Sequence, residues 1–175
     1  YGLGNLASIF NAIKQVEKNV KVTNEAKEIE NSTHLVLPGV GSFNAGMEGL
    51  AKRNLIKILS NEVLNKKKPF LGICLGMQLL SSASDESKGV EGLSWIDGKV
   101  VKIDSENKSI KIPHMGWNDV KISNNSKLYI NVKNDSSFYF VHSFHFVPKD
   151  KNIISGTCEH GTKLVASIEK DNIFA

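Results

Sequence analysis

Apolar residues in the first half of the chain recur at two different periods. Across Gly4–Asn19, residues Leu6, Ile9, Phe10, Ile13 and Val16 fall at helical spacing, which predicts an amphipathic helix ending near Asn19. The run THLVLPG, Thr33 to Gly39, is continuous rather than periodic and breaks at Pro38-Gly39, as expected of a buried strand feeding a loop. Gly46–Lys68 returns to helical spacing. PFLGICL, Pro69 to Leu75, is a second apolar strand, and GMQLLSSAS, Gly76 to Ser84, reads as helix again. Such alternation predicts an α/β fold with parallel strands.

The second half changes period. Gly92–Asp104, Ile110–Ile122, Ser136–Asp150 and Ile153–Ala175 are short β-branched and aromatic runs punctuated by Gly, Asn and Asp. The expectation is a mostly parallel central sheet flanked by helices, with an added antiparallel β portion. No linker or internal repeat separates the halves, so the 175 residues are expected to form a single domain.

Composition narrows the function classes. Apolar residues make up 41% and charged residues 23%, ordinary globular values. With 2 cysteines there is no disulfide framework, which points to a reducing, cytoplasmic compartment. The formal net charge is +4, but the lysines are scattered apart from NKKKP at Asn65–Pro69. That run is expected on the solvated end of a helix, near its negative dipole pole, rather than as a nucleic-acid patch. No apolar segment approaches the ~18 residues that span a bilayer, so no membrane role is expected. The sequence opens on Tyr1 rather than Met, which suggests a piece of a longer product.

The candidate chemistry lies at Cys74, set between Gly72 and Gly76 where a strand meets a helix. A sharp strand-to-helix turn exposes its central residue and needs small neighbours. The following helix would aim N–H groups and its positive pole at the sulfur, favouring a thiolate. The alternative is a core cysteine between close-packed glycines. A second glycine loop, LPGVGSF at Leu37–Phe43, follows the preceding strand and would lie beside the elbow in a parallel sheet. Backbone N–H groups of Gly39, Val40 and Gly41 could join that of Leu75 as an oxyanion hole, or the loop could be an ordinary turn.

PGVGSF followed by LGICLGMQLL resembles the class I glutamine amidotransferases. YGLGNLASI at the start, KIPHMGWN at Lys111–Asn118 and FYFVHSFHF at Phe138–Phe146 resemble, within that class, the glutaminase subunits of imidazole glycerol phosphate synthase. The resemblance covers nearly the whole chain. It implies a nucleophilic Cys74 that forms a γ-glutamyl thioester, with no cofactor and no metal. It further implies an oxyanion loop at Gly39-Val40-Gly41, and glutamine contacts from Gln78, Ser143 and Phe144. The implied partner is a separate (β/α)8-barrel synthase or cyclase subunit that receives the ammonia, in a heterodimer with lyase activity. Gly4, Asn5, Met115, Trp117, Asn118 and Tyr139 would lie near that partner, the alternative for Trp117 and Tyr139 being core packing.

The family draws its general base from a terminal His-Pro-Glu. None of the 5 histidines, His34, His114, His142, His145 and His160, is followed by Pro-Glu. Truncation at both ends, or a glutaminase-dead relative, would account for this, and the 175-residue form is expected to turn over little glutamine. His142 and His114 are expected to be structural, and Cys158 a buried or incidental thiol. Three readings stay open: a glutaminase serving histidine biosynthesis, a paralogue feeding a sugar amidotransferase of surface polysaccharide, and a non-catalytic scaffold subunit.

Overall fold

The computed structural model describes residues 1–104, 110–123 and 126–175. Helices α1 (Leu6–Lys14) and α2 (Ala26–Asn31) precede strand β1 (Leu35–Gly39). Helices α3 (Phe43–Lys52) and α4 (Leu55–Ser60) lead to β2 (Phe70–Cys74), then α5 (Leu75–Gln78), β3 (Ala83–Ser84) and β4 (Gly98–Lys102). The remaining strands are β5 (His114–Ile122), β6 (Ser136–His142), β7 (Phe144–Pro148), β8 (Ile154–Glu159), β9 (Lys163–Lys170) and β10 (Ile173–Phe174).

The α/β class expected from the sequence is found, with both kinds of strand pairing in one sheet. Seven strands run in the order β1-β2-β10-β9-β8-β5-β6. Pairing is parallel from β1 through β2 to β10 and antiparallel from β10 onward. A second sheet of three strands, β3-β4-β7, packs beside it. The main core gathers Phe43, Leu50, Phe70, Leu75, Leu79 and Phe146, all essentially inaccessible. Phe70 meets Trp95 edge-on at 5.1 Å, and the Trp95 indole N–H donates to Ser60 Oγ at 3.1 Å.

Helices are shorter than the periodicity predicts. α1 stops at Lys14 instead of Asn19, and Val16 lies 87% exposed. The helix expected over Gly46–Lys68 is broken at Asn54, which adopts φ 54° and ψ 30°. Asparagine tolerates this left-handed conformation better than most residues, so the chain turns there and restarts as α4. A π-helical turn, Asn61–Asn65, ends it. α5 is a single turn rather than a longer helix.

The lysine run also departs from expectation. Lys68 is not solvated: its side chain is 9% exposed and lies 2.8 Å from the fully buried Glu62. Its Nζ also donates to the Ile29 and Glu30 carbonyls at 2.7 and 3.0 Å, tying α2 to the strand that follows. Lys66 reaches the other Glu62 oxygen at 2.7 Å. Hydrogen bonds from the two lysines hold the Glu62 carboxyl down at about 2, from 4.5. A depressed carboxyl adds stability above its ordinary range and loses it as pH falls through the folded value. Lys68→Met is therefore expected to lower Tm at pH 7, by an amount that shrinks as pH falls from 4.5 toward about 2. A Tm difference that does not depend on pH would show that the charge pair is not the cause.

Candidate active site

Cys74 sits at φ 55° and ψ −111°, strained for a residue with a Cβ, between the end of β2 and the start of α5. Such a conformation costs on the order of 1–3 kcal/mol and persists only where the surroundings enforce it. The glycines do the enforcing. A Cβ on Gly76 would come within 1.8 Å of the Leu37 carbonyl oxygen, and one on Gly72 within 2.9 Å of the Gly76 carbonyl oxygen. Helix α5 thus presses its backbone directly onto the strands, and the thiol is left facing solvent. Neighbouring protein nevertheless desolvates the sulfur enough to push the thiol up from 9.0, while the Leu75 N–H pulls the other way. At this elbow burial outweighs the Leu75 N–H, so the thiol form is favoured over the thiolate that the sequence suggested.

The glycine loop lies where the parallel register predicts. Gly39 is directly opposite Cys74 across the β1–β2 ladder. Val40 is exposed, and Gly41 takes φ 126° against the Leu3 side chain. Beyond the loop, Ser42 Oγ accepts the Ala45 N–H at 3.3 Å, and the Phe43 N–H donates to Glu86 Oε2 at 2.8 Å. Asn44 N–H donates to Ser87 Oγ at 3.2 Å, so the start of α3 is pinned from two sides.

Tyr1 was not foreseen from the sequence. A Cβ on Gly39 would meet the Tyr1 hydroxyl at 2.0 Å, so the tip of the phenol packs directly against the loop. Burial and the facing Cys74 raise that phenol to about 12. Gly4, at φ 125°, rests on Pro38 and Gly39, while Asn5 Oδ1 accepts the Ser8 N–H at 3.3 Å and caps α1. These two residues border the glycine loop. Only the small Gly39 surface hints at Tyr1, and no local pattern points to Glu86.

The expected glutamine contacts come together. Gln78, one turn past Cys74, donates from Nε2 to the Phe144 carbonyl at 3.1 Å. The Ser143 carbonyl accepts the Ile103 N–H at 2.9 Å, fixing the bend between β6 and β7. His142 Nδ1 lies 3.0 Å from the same Phe144 carbonyl. Cys158 is buried, its thiol pushed up to about 11.

Strands β5 and β6 separate two faces by simple alternation. On the outer face Met115 pairs with Val141, and Trp117 with Tyr139. Their exposures are 60%, 55%, 74% and 57%, which removes the core-packing alternative for Trp117 and Tyr139. The two rings meet edge-on at 5.8 Å. On the inner face His114, Phe140 and His142 stack or bond together, and Asn118 turns its amide toward His114. Among the described residues no cluster could hold a metal ion, and no helix is long and apolar enough to cross a membrane.

The model of the family glutamine amidotransferase class-I matches residues 1–175. The chain is 43% identical to imidazole glycerol phosphate synthase subunit HisH of Pelagibacter ubique, over 99% of this chain and 86% of that protein. It is 47% identical to the subunit of the same name from Pyrococcus furiosus, over 99% and 84%. A crystal structure of a glutamine amidotransferase superposes with a TM-score of 0.76 at 13% identity, covering 99% of this chain and 84% of the other. Another, from Thermotoga maritima, gives 0.60 at 20% identity, covering 98% and 67%. The names of these relatives do not bear out the expectation that the 175 residues by themselves are inactive.

Proposed function

The chain belongs to the class I glutamine amidotransferase family, and on that premise we propose that it is the glutaminase subunit of imidazole glycerol phosphate synthase. It hydrolyses glutamine and passes the ammonia to a cyclase subunit in histidine biosynthesis. The observation that carries the reading is Cys74 at its strained elbow, opposite Gly39 and with the Leu75 N–H on its sulfur.

In this reading the Cys74 thiolate attacks the side-chain carboxamide carbon of glutamine. The developing oxyanion is met by the Leu75 N–H and by N–H groups of the Gly39-Val40-Gly41 loop. Gln78 and the Ser143–Phe144 backbone hold the amino-acid end, which sets the carboxamide against the sulfur. Collapse of the tetrahedral species expels ammonia, the leaving nitrogen taking up the proton that the Cys74 thiol gave up to form the thiolate, and water then releases glutamate from the thioester and returns a proton to the sulfur. The thiol is raised in this structure, so the active complex must supply a cationic partner for it. The family draws that partner from a histidine.

The exposed Met115–Trp117 and Tyr139–Val141 face supports a docking surface for a (β/α)8-barrel partner, giving a cytoplasmic heterodimer. Aromatic anchors in such faces carry a disproportionate share of binding energy. Trp117→Ala is expected to weaken partner binding by about 30-fold or more, roughly 2 kcal/mol, with Tm unchanged because the ring is already in solvent. Unaltered affinity by titration calorimetry would move the interface elsewhere. The names of the relatives favour the histidine pathway over a sugar amidotransferase, and the intact elbow argues against a scaffold. The test is glutamate release by the full-length protein, alone and with its cyclase. Absence of glutamine hydrolysis in both would overturn the proposal.

A further inference from the structure

Between the exposed aromatic face and the glutamine contacts runs a line of side chains whose hydrogen bonds have a single consistent direction. Asn118 sets it at one end. Its Oδ1 accepts the Asp119 N–H at 2.9 Å, and its Nδ2 donates to the Glu159 carbonyl at 2.8 Å. Two backbone groups therefore fix which end of the amide is which. The second Nδ2 proton points to His114 Nε2, 3.0 Å away, which must be the bare, accepting nitrogen. His114 then carries its proton on Nδ1, 2.9 Å from His142 Nε2.

The other end demands the same order independently. His142 Nδ1 lies 3.0 Å from the Phe144 carbonyl, and a carbonyl only accepts. So His142 is protonated on Nδ1 and accepts on Nε2, which matches the order set by Asn118. Gln78 Nε2 donates to the same carbonyl at 3.1 Å. Both imidazoles are held neutral. His114 is 3% exposed, stacked between Phe140 at 4.7 Å and His160 at 4.2 Å. Burial, with His142 and His160 facing it, pushes His114 down to about 4, and burial lowers His142 as well. Reversing the protons would set a lone pair of His142 against the Phe144 carbonyl and the Nε2–H of His114 against the Asn118 amide N–H. The line is a strut, not a proton relay.

We propose that His114 and His142 are positioning residues for glutamine, a one-way hydrogen-bonded strut fixing the Phe144 carbonyl beside Gln78 and braced on Asn118 behind the aromatic face. The proposal rests on the reading of Gln78 and Phe144 as glutamine contacts. It ties the docking strands to the glutamine contacts, because His114 and His142 pair in the same β5–β6 ladder that carries Met115 and Val141.

Imidazole ¹⁵N–¹H correlation spectra of the wild-type full-length protein test the strut without reference to activity. Both rings are expected as neutral Nδ1–H tautomers at neutral pH. In Asn118→Asp, which is isosteric but presents only acceptors to His114, the His114 tautomer is expected to change. A wild-type Nε2–H tautomer on either ring overturns the proposal. With the cyclase bound, His142→Phe should raise the KM for glutamine about tenfold, the scale of one lost neutral hydrogen bond, while kcat changes little. His142→Asn, whose Nδ2 can stand in for the Nδ1–H, should recover most of that loss. An unchanged KM, or a fall confined to kcat, overturns the positioning role. Activity that survives in Cys74→Ala would sink the glutaminase reading instead, and the tautomers would still decide the strut.

Discussion

Replacing Cys74 by alanine is expected to lower glutamine hydrolysis by more than about 1,000-fold in the full-length protein with its partner, because the covalent step disappears. The other cysteine of the 175 residues cannot take over. Cys158 is buried and its thiol lies at about 11. Cys74→Ser should fail almost as completely, since a hydroxyl ionises far less readily than a thiol that burial already pushes up from 9.0. Stability should move the other way in Cys74→Gly. Glycine adopts φ 55° at little cost, so this variant should gain about 1 kcal/mol while losing activity. Glutamate release and thermal melts on the same preparations check both halves. A Cys74→Ala protein that hydrolyses glutamine at the wild-type rate would remove the nucleophile assignment. The raised thiol adds a sign to the pH dependence. Burial favours the neutral form, so alkylation of Cys74 in the isolated subunit should be slow at pH 7 and climb as pH passes 9.0.

The second large effect is structural and lies two residues on. Gly76→Ala is expected to destabilise the protein by about 3–5 kcal/mol, lowering Tm by roughly 10 °C. The added methyl would stand 1.8 Å from the Leu37 carbonyl oxygen and 2.9 Å from its carbon. Both are strand backbone, so no flexible side chain can yield, and α5 must lift off β1. Activity should fall together with stability, because the same shift moves Leu75 and Gln78. A Gly76→Ala variant with the wild-type Tm would mean that the elbow is looser than its contacts imply.

What could be read from the sequence was local. Gly72, Cys74 and Gly76 announce a tight strand-to-helix turn within five residues, and the contacts at those glycines are the ones the pattern requires. The apolar runs at β1 and β2 are unambiguous for the same reason. The break at Asn54 was hidden, because Leu55, Ile56, Ile58 and Leu59 continue an apolar period that a left-handed residue interrupts without altering it. Lys68 looked like one more surface lysine, since nothing in NKKKP reveals that Glu62 and two α2 carbonyls close around it. Tyr1 against Gly39 is a contact across 38 positions, and His114 with His142 one across 28. Only strand register and chain return create such pairs, so composition and spacing carry no trace of them.

The short strand β10 bears on how the protein is made. Ile173–Phe174 is the seam between the parallel and antiparallel parts of the large sheet, and the neighbouring Asn172 amide donates to the Val63 and Lys68 carbonyls at 2.9 and 2.8 Å. On a ribosome, β1 and β2 emerge roughly 100 residues before their neighbour in the sheet, which at about 5–20 residues per second is a wait of 5 s or more. Through that interval β2 presents an unpaired parallel edge at Phe70 and Leu71. Newly made chains therefore carry an exposed sheet edge, open to chaperone capture and mispairing, until residue 173 appears, whereas the contacts among Leu37, Gly72 and Gly76 that enforce the elbow are all available roughly a hundred residues earlier.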